Sequence, residues 1–172
     1  RHYPEWASLG AGIGNYMAYG DFPEDETAEP RLFLPRGRVM GRVMARVQGV
    51  EPAGVTESVT HAWYTYDGDP DGLRGPADGE TSPKYAGPPL PYASLEGSEK
   101  YSWLKAPRYE DEPMEVGPLA RVLVAYVEGR DEVRAAVDRV ITALGVGPDA
   151  LFSTLGRIVA RALEPELRAK FP

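Results

Sequence analysis

The chain has 172 residues, of which 42% are hydrophobic and 26% are charged, and its net charge is −7. This composition is that of one globular segment rather than a disordered chain, and the acidic balance argues against nucleic acid or an anionic membrane surface as the main partner. The sequence contains no cysteine, which excludes thiolate metal sites within these residues, and no apolar run approaches the roughly 18 residues that span a bilayer.

The composition of the first hundred residues predicts an irregular, strand-rich region. Aromatic and apolar residues dominate 15–22, which predicts a strand. The segment 31–47 fits both a period of two and a helical period, and its valines together with Gly41 favour a strand or hairpin. The segment 55–66 is strongly β-prone near its end, and its His61 is interpreted as a hydrogen-bonded structural residue.

The middle of the chain is rich in glycine and proline. Residues 67–113 contain closely spaced glycines and prolines, a composition that predicts long irregular connections. Trp103 lies toward the end of this region and is expected to be buried, since large aromatic side chains usually are.

The last third of the chain predicts three helices. The first extends from Pro118, a residue suited to the first helical position, to Gly129. The second begins at Asp131, the expected N-terminal cap, and ends at Gly145. Short connections between helices predict antiparallel packing.

The third helix is predicted to begin at 147–149 and to end or bend at Pro165. Its inward residues are expected to be Leu151, Leu155, Val159, Ala162 and Leu163. The sequence therefore predicts an α+β fold, with an irregular antiparallel strand region over 1–100 followed by three packed helices. It is read as a single segment, divided by composition into a strand-rich 1–66, a loop-rich 67–113 and a helical 114–172.

Two motifs stand where the loops meet the helices. They read Lys100-Tyr-Ser-Trp-Leu-Lys-Ala-Pro-Arg-Tyr109 and Met114-Glu-Val-Gly-Pro-Leu-Ala-Arg121. Both resemble the large subunit of nickel–iron hydrogenases, which carries Tyr-Ser-Trp-x-Lys-Ala-Pro-Arg-Tyr followed by Met-Glu-Val-Gly-Pro-Leu-Ala. Five further segments are similar to that family in the same order: 16–22, 32–37, 57–64, 78–85 and 144–157.

The resemblance implies a middle section of a larger, mainly helical catalytic subunit. The parent enzyme would oxidise H₂ reversibly and pass electrons to a small subunit that holds iron–sulfur clusters. The family binds its nickel–iron centre through four cysteine thiolates, and this chain has no cysteine. Those ligands are therefore expected outside these residues, and the segment alone is not expected to oxidise H₂. The alternative is a non-catalytic assembly or sensory scaffold protein, which would lack paired cysteines on both sides.

The resemblance also suggests a magnesium site. In the family, a glutamate and a lysine contact waters around a magnesium ion, and these match Glu57, four residues before His61, and Lys105. Magnesium keeps several waters, so such outer contacts are chemically reasonable. An ordinary salt bridge is the alternative. Arg108 and Arg121 are interpreted as structural ion-pair formers that join the loop region to the helices.

Further expectations concern partners and location. The resemblance implies H₂ as substrate, a membrane cytochrome reached through the small subunit, and no nucleic acid. It implies membrane association at the periplasmic or outer face, with the cytoplasm as the alternative. One departure from the family stands at 74–76, where Arg-Gly-Pro replaces a His-Pro pair, so a hydrogen bond from that histidine is not expected. An isolated segment is expected to expose apolar faces and to behave poorly.

Overall fold

The computed structural model of the protein describes residues 4–68, 72–85, 87 and 100–169. Its internal contacts divide the chain into two compact units. The first unit comprises Arg1–Val50 and Glu115–Pro172, and the second comprises Glu51–Met114. In sequence, the second unit is therefore an insertion between the strands and the helices of the first.

After a short 3-10 helix at Pro4–Ser8, the described part of the first unit contains four short strands in two antiparallel pairs. The strands are β1 Tyr16–Ala18, β2 Asp21–Pro23, β3 Leu32–Leu34 and β4 Gly37–Val39. β1 pairs with β4, with Tyr16 opposite Val39. β2 pairs with β3, with Asp21 opposite Leu34. Aromatic and aliphatic residues fill β1 and β3, and most of them are buried because both strands contact the first helix.

Three helices complete the first unit. They are α1 Pro118–Glu128, α2 Asp131–Leu144 and α3 Thr154–Arg168. Gly129 and Gly145 adopt left-handed backbone angles (φ 96° and 68°) and end α1 and α2 as predicted. The Ser153 hydroxyl caps α3 by accepting a hydrogen bond from the Gly156 amide. Asp131 is not the cap of α2: the cap position is Arg130, and Asp131 lies in the first turn.

The core of the first unit forms around α1, which contacts β1, β3, β4, α2 and α3. Its largest fully buried side chains are Tyr16, Leu34, Leu123, Leu151, Leu167, Val39, Val122, Val124, Val133 and Val137. Gly156 allows α3 to approach the preceding turn, because a Cβ at this position would lie 2.1 Å from the Leu151 carbonyl oxygen. Only glycine fits there without a shift of the backbone.

The described residues of the second unit form six short antiparallel strands. They are β5 Val55–Ser58, β6 Tyr64–Tyr66, β7 Leu73–Arg74, β8 Thr81–Pro83, β9 Ala106–Tyr109 and β10 Glu112–Pro113. Four of them form one sheet in the order β10-β9-β5-β7, and β6 pairs with β8. Glu110 and Asp111 link β9 to β10 with positive φ angles of 48° and 69°, as a tight two-residue hairpin turn requires.

The α+β prediction, with antiparallel strands and three helices, is confirmed. Details differ. The strand expected over 15–22 is divided between β1 and β2, because Gly20 has φ 95° and turns the chain. The segment 31–47 gives two strands but ends its pairing at Val39, and Val43 is exposed. Within 67–113, where composition predicts loops, the described residues include β7 to β10.

Helix α3 departs from its predicted pattern. It continues through Pro165, which lies on the exposed side where water can replace the lost backbone hydrogen bond. Ala162, expected to face inward, is exposed, whereas the buried residues are Gly156, Ala160, Leu163, Glu164 and Leu167. The buried face is therefore rotated from the predicted one, and it includes an acid that a hydrophobic pattern does not select.

That acid, Glu164, is 7% exposed and accepts a hydrogen bond from Arg121 of α1 and one of 3.3 Å from Arg168. Arg121 thus forms the expected ion pair, but the pair joins two helices rather than a loop to the helices. Burial alone would raise the pKa of Glu164, and the two arginines outweigh it, so the pKa is lowered.

The lowered pKa predicts how stability depends on pH. The contribution of Glu164 is present above its ordinary pKa of 4.5 and is lost as the pH falls through the lower folded value. Glu164→Gln should reduce the free energy of unfolding by about 1.5–3 kcal/mol at pH 7, with the difference shrinking in acid. Urea unfolding between pH 3 and 7 would measure this.

Glu166→Gln is the matched control, because Glu166 lies on the same helix and pairs with an exposed Arg139. We expect this control to change stability by less than about 1 kcal/mol at any pH. Equal losses from both variants, or a Glu164→Gln loss that persists unchanged at pH 3, would contradict the assignment.

Candidate functional site

A partly buried acid lies in the sheet of the second unit. Glu57 is on the central strand β5, opposite Pro107 on β9 and Arg74 on β7. Its side chain is 18% exposed. Because a carboxylate loses hydration in such a position, it needs donors from the protein.

Two side chains supply those donors. The Lys105 ammonium lies 2.6 Å from Glu57 Oε1 and is 30% exposed. The Tyr66 hydroxyl donates to the same oxygen at 2.8 Å. The structure therefore brings together Glu57 and Lys105, the two residues selected from the sequence, and adds Tyr66 as a third member.

Tyr66 is the residue that the sequence reasoning missed. It is 1% exposed, and burial, followed by the hydrogen bond to Glu57, raises the pKa of its phenol. The phenol is therefore protonated at neutral pH and acts as a donor. The signal available in the sequence was the β-prone run of aromatics before it, which predicts a buried ring but not its hydrogen-bond partner.

Neighbouring cations and rings hold this group in place. The Arg74 guanidinium lies 5.0 Å from the centre of the Tyr66 ring and donates to the Asp67 carbonyl. The Lys105 ammonium lies 5.4 Å from the Tyr64 ring. Arg74, which stands where the resembled family has a His-Pro pair, thus supports Tyr66 through its ring face.

Trp103 is 45% exposed rather than buried. Its ring contacts those of Trp63, Tyr64 and Tyr85 at centroid distances of 5.2, 5.5 and 6.0 Å. The aromatic residues therefore form a partly exposed cluster beside Lys105. His61 stacks on Tyr101 at 5.6 Å, consistent with a structural part for this histidine.

The chemistry of the donor set limits how a cation could bind. Among the residues that the structure describes, no group of three or more His, Asp or Glu side chains could hold a metal ion. Glu57 Oε1 already accepts from both Lys105 and Tyr66. A magnesium ion bound directly to this carboxylate would lie close to the ammonium, so the residues fit contact with a hydrated ion through its waters.

A second ion pair lies in the first unit. Arg157 of α3 contacts both carboxylate oxygens of Glu115, at 2.7 and 2.5 Å, and donates to the Gly10 carbonyl. Burial and the Glu115 charge raise the pKa of the nearby Tyr16 phenol. Arg157 thereby connects Glu115 and the segment around Gly10 to α3, so this bidentate ion pair has a structural role.

Arg108 was predicted to form an ion pair that joins the loop region to the helices, but it forms no ion pair with any described residue. Its Nη1 donates at 2.6 Å to the Asp111 carbonyl, within the β9–β10 hairpin. The contact is therefore local and stabilises the turn.

Comparison with known proteins gives a consistent result. The family model described as nickel-dependent hydrogenase matches residues 1–171. The chain is 42% identical to the uptake hydrogenase large subunit of Rhizobium leguminosarum bv. viciae and 39% identical to the hydrogenase-1 large chain of Escherichia coli K12, each match covering 95% of this chain. It spans 29% of the length of both relatives.

Solved structures agree in fold. A [NiFeSe]-hydrogenase of Dm. baculatum superposes with a TM-score of 0.68 at 30% identity. The match covers 97% of this chain and 32% of that one. The arrangement of strands and helices described above therefore matches about a third of that longer chain.

The Tyr66 hydroxyl provides a test of the site. Tyr66→Phe keeps the buried ring and removes the donor to Glu57, so it should lower the free energy of unfolding by about 1.5–3 kcal/mol, the scale of a hydrogen bond to a charged group. Urea unfolding of the two proteins would measure the change.

Tyr64→Phe is the control, because the Tyr64 hydroxyl makes no hydrogen bond to any described residue, and we expect less than about 0.5 kcal/mol from it. If the two substitutions cost the same, the hydrogen bond to Glu57 contributes nothing measurable.

Proposed function

Because this chain belongs to the nickel-dependent hydrogenase family, we propose that it is a segment of the large subunit of an uptake-type nickel–iron hydrogenase. The full subunit oxidises H₂ reversibly to protons and electrons and passes the electrons to a small subunit with iron–sulfur clusters. The observation that carries this proposal is a family match over residues 1–171 together with a shared fold.

The segment contributes scaffold rather than metal ligands. A nickel–iron centre supplies the site at which H₂ is split, and soft thiolates suit both metals. The 172 residues contain no cysteine, so the thiolates come from other parts of the parent chain. What this segment provides is a packed helical unit and a sheet that carries Glu57.

Glu57 and Lys105 are proposed to hold waters around a magnesium ion. The carboxylate fixes water through the oxygen that Lys105 and Tyr66 leave free, since both contact Oε1. Lys105 and Tyr66 orient that carboxylate. Hard oxygen groups and retained water are what magnesium prefers.

Location and electron transfer are also proposals. One relative, from Wolinella succinogenes, is named a quinone-reactive Ni/Fe-hydrogenase large chain and is 30% identical over 94% of this chain. No helix among the described residues is long and apolar enough to cross a membrane. We propose membrane association at the periplasmic or outer face through the small subunit and a cytochrome, with the cytoplasm as the alternative.

The intact parent protein tests the enzyme proposal. Purified from its source with its partner, it should contain nickel and iron and should reduce methyl viologen under H₂. The control is the same preparation under argon. A preparation free of nickel and iron and inactive under H₂ would instead identify a non-catalytic assembly or sensory scaffold, and the enzyme proposal would be withdrawn.

Glu57→Gln in the intact enzyme tests the magnesium proposal. Removing the charge should weaken magnesium retention on dialysis about 10–100-fold, the range seen for residues behind metal ligands, with a similar loss of H₂ oxidation. Magnesium content by mass spectrometry is the primary measurement. Glu112→Gln, an exposed acid on β10, is the control and should change neither value.

Unchanged magnesium content in Glu57→Gln would show that Glu57 forms only a salt bridge with Lys105. That result would leave the hydrogenase proposal standing, because nickel content and H₂ oxidation are measured separately.

A further inference from the structure

A cavity of about 300 Å³ opens in the second unit beside β5 and β9. We call it the Arg108 cavity. It is lined by Ser58, Thr60, His61, Ala62, Tyr101, Ser102, Leu104, Lys105, Ala106 and Arg108. These lining residues include two cations and four hydroxyls but no acid, so the wall is suited to a negatively charged group.

Two buried polar atoms next to this wall have no hydrogen-bond partner among the residues that the structure describes. Among the described residues, neither Arg108 Nε nor Thr56 Oγ1 has a hydrogen-bond partner, although both atoms are buried. Thr56 and Arg108 lie directly opposite each other on β5 and β9, so their side chains share one face of the sheet. Buried polar groups are rarely left unpaired, and both of these can donate, so together they require an acceptor.

A further hydroxyl lies on the same face of the sheet as Thr56 and Arg108. Ser58 lies two residues beyond Thr56 on β5 and therefore faces the same way, and its hydroxyl is 3.1 Å from that of Thr60. Lys105 also lines the cavity, but its charge is matched by Glu57. Arg108 is in no ion pair with a described residue, so it is the cation whose charge is left unmatched at the wall.

We propose that the Arg108 cavity binds one oxyanion, a carboxylate or phosphate group, which accepts hydrogen bonds from Arg108 and the neighbouring hydroxyls. The planar guanidinium of arginine matches the oxygens of such groups in both geometry and charge. The oxyanion is either a free anion or a carboxylate side chain contributed by another part of the parent protein. This site is separate from the water-holding oxygen of Glu57 and does not depend on the hydrogenase proposal.

The test uses the intact parent protein with its partner. Equilibrium dialysis with radiolabelled inorganic phosphate, at constant ionic strength, should show one bound phosphate per chain. Arg108→Gln should weaken this binding about tenfold or more, the scale of one lost charge-assisted hydrogen bond. Arg31→Gln removes an exposed arginine that pairs with Glu24 in the first unit and should leave the affinity unchanged.

Arg108→Lys retains the charge without the planar fork, so it should bind phosphate with intermediate affinity, and it replaces Arg108→Gln where that variant yields no folded protein. Crystals of the intact protein soaked in arsenate should show anomalous scattering within hydrogen-bond distance of Arg108.

The two sources of the oxyanion give different results. A free anion gives phosphate binding that depends on Arg108. A protein carboxylate gives no phosphate binding, together with an Asp or Glu side chain hydrogen-bonded to Arg108 in the crystal structure. The proposal is overturned if phosphate binding is insensitive to Arg108 substitution. It is equally overturned if no phosphate binds and only water or uncharged groups contact Arg108.

Discussion

Withdrawing the Glu57 carboxylate from water costs free energy unless the protein replaces the lost hydration. In the second unit, Lys105 and Tyr66 replace that hydration. Lys105 directly precedes β9, Tyr66 is the last residue of β6, and both contact the same carboxylate oxygen of Glu57 on β5. One partly buried charge thus constrains the relative positions of three segments that are distant in sequence. The cation–ring contacts of Arg74 and Lys105 follow from that convergence.

Two acids in the first unit are likewise paired with cationic side chains. Glu164 accepts hydrogen bonds from Arg121 and Arg168. The two carboxylate oxygens of Glu115 accept hydrogen bonds from Nε and Nη2 of Arg157. In each case an acid of low exposure is matched by an arginine from a distant segment. Removing one member of such a pair leaves a charge that is partly desolvated, which is why these pairs specify an arrangement more than they add stability.

Much of this could be predicted from the sequence, for reasons that differ by element. The ends of α1 and α2 could be predicted because a helix often ends at a residue with left-handed backbone angles, which glycine adopts without strain, and Gly129 and Gly145 stand at those positions. Glu57 and Lys105 were found through a resemblance to a family, since nothing in their spacing brings them together. The buried face of α3 was misjudged because Glu164 is an acid, and its burial depends on Arg121, a residue on another helix. Tyr66 was missed for the same reason, as its partner is set by sheet pairing.

The insertion of the second unit has a consequence for synthesis on the ribosome. β1 bridges to Glu115 and packs against α1, so its partners emerge about a hundred residues later, roughly 5–20 s at ordinary elongation rates. During that interval the apolar side chains of β1 and β3 are not covered by α1. Residues 51–114 make their own sheets from strands that lie closer together in sequence, so this unit can order first. The early strands therefore wait for their own helix, and their apolar side chains depend on other contacts until α1 has been made.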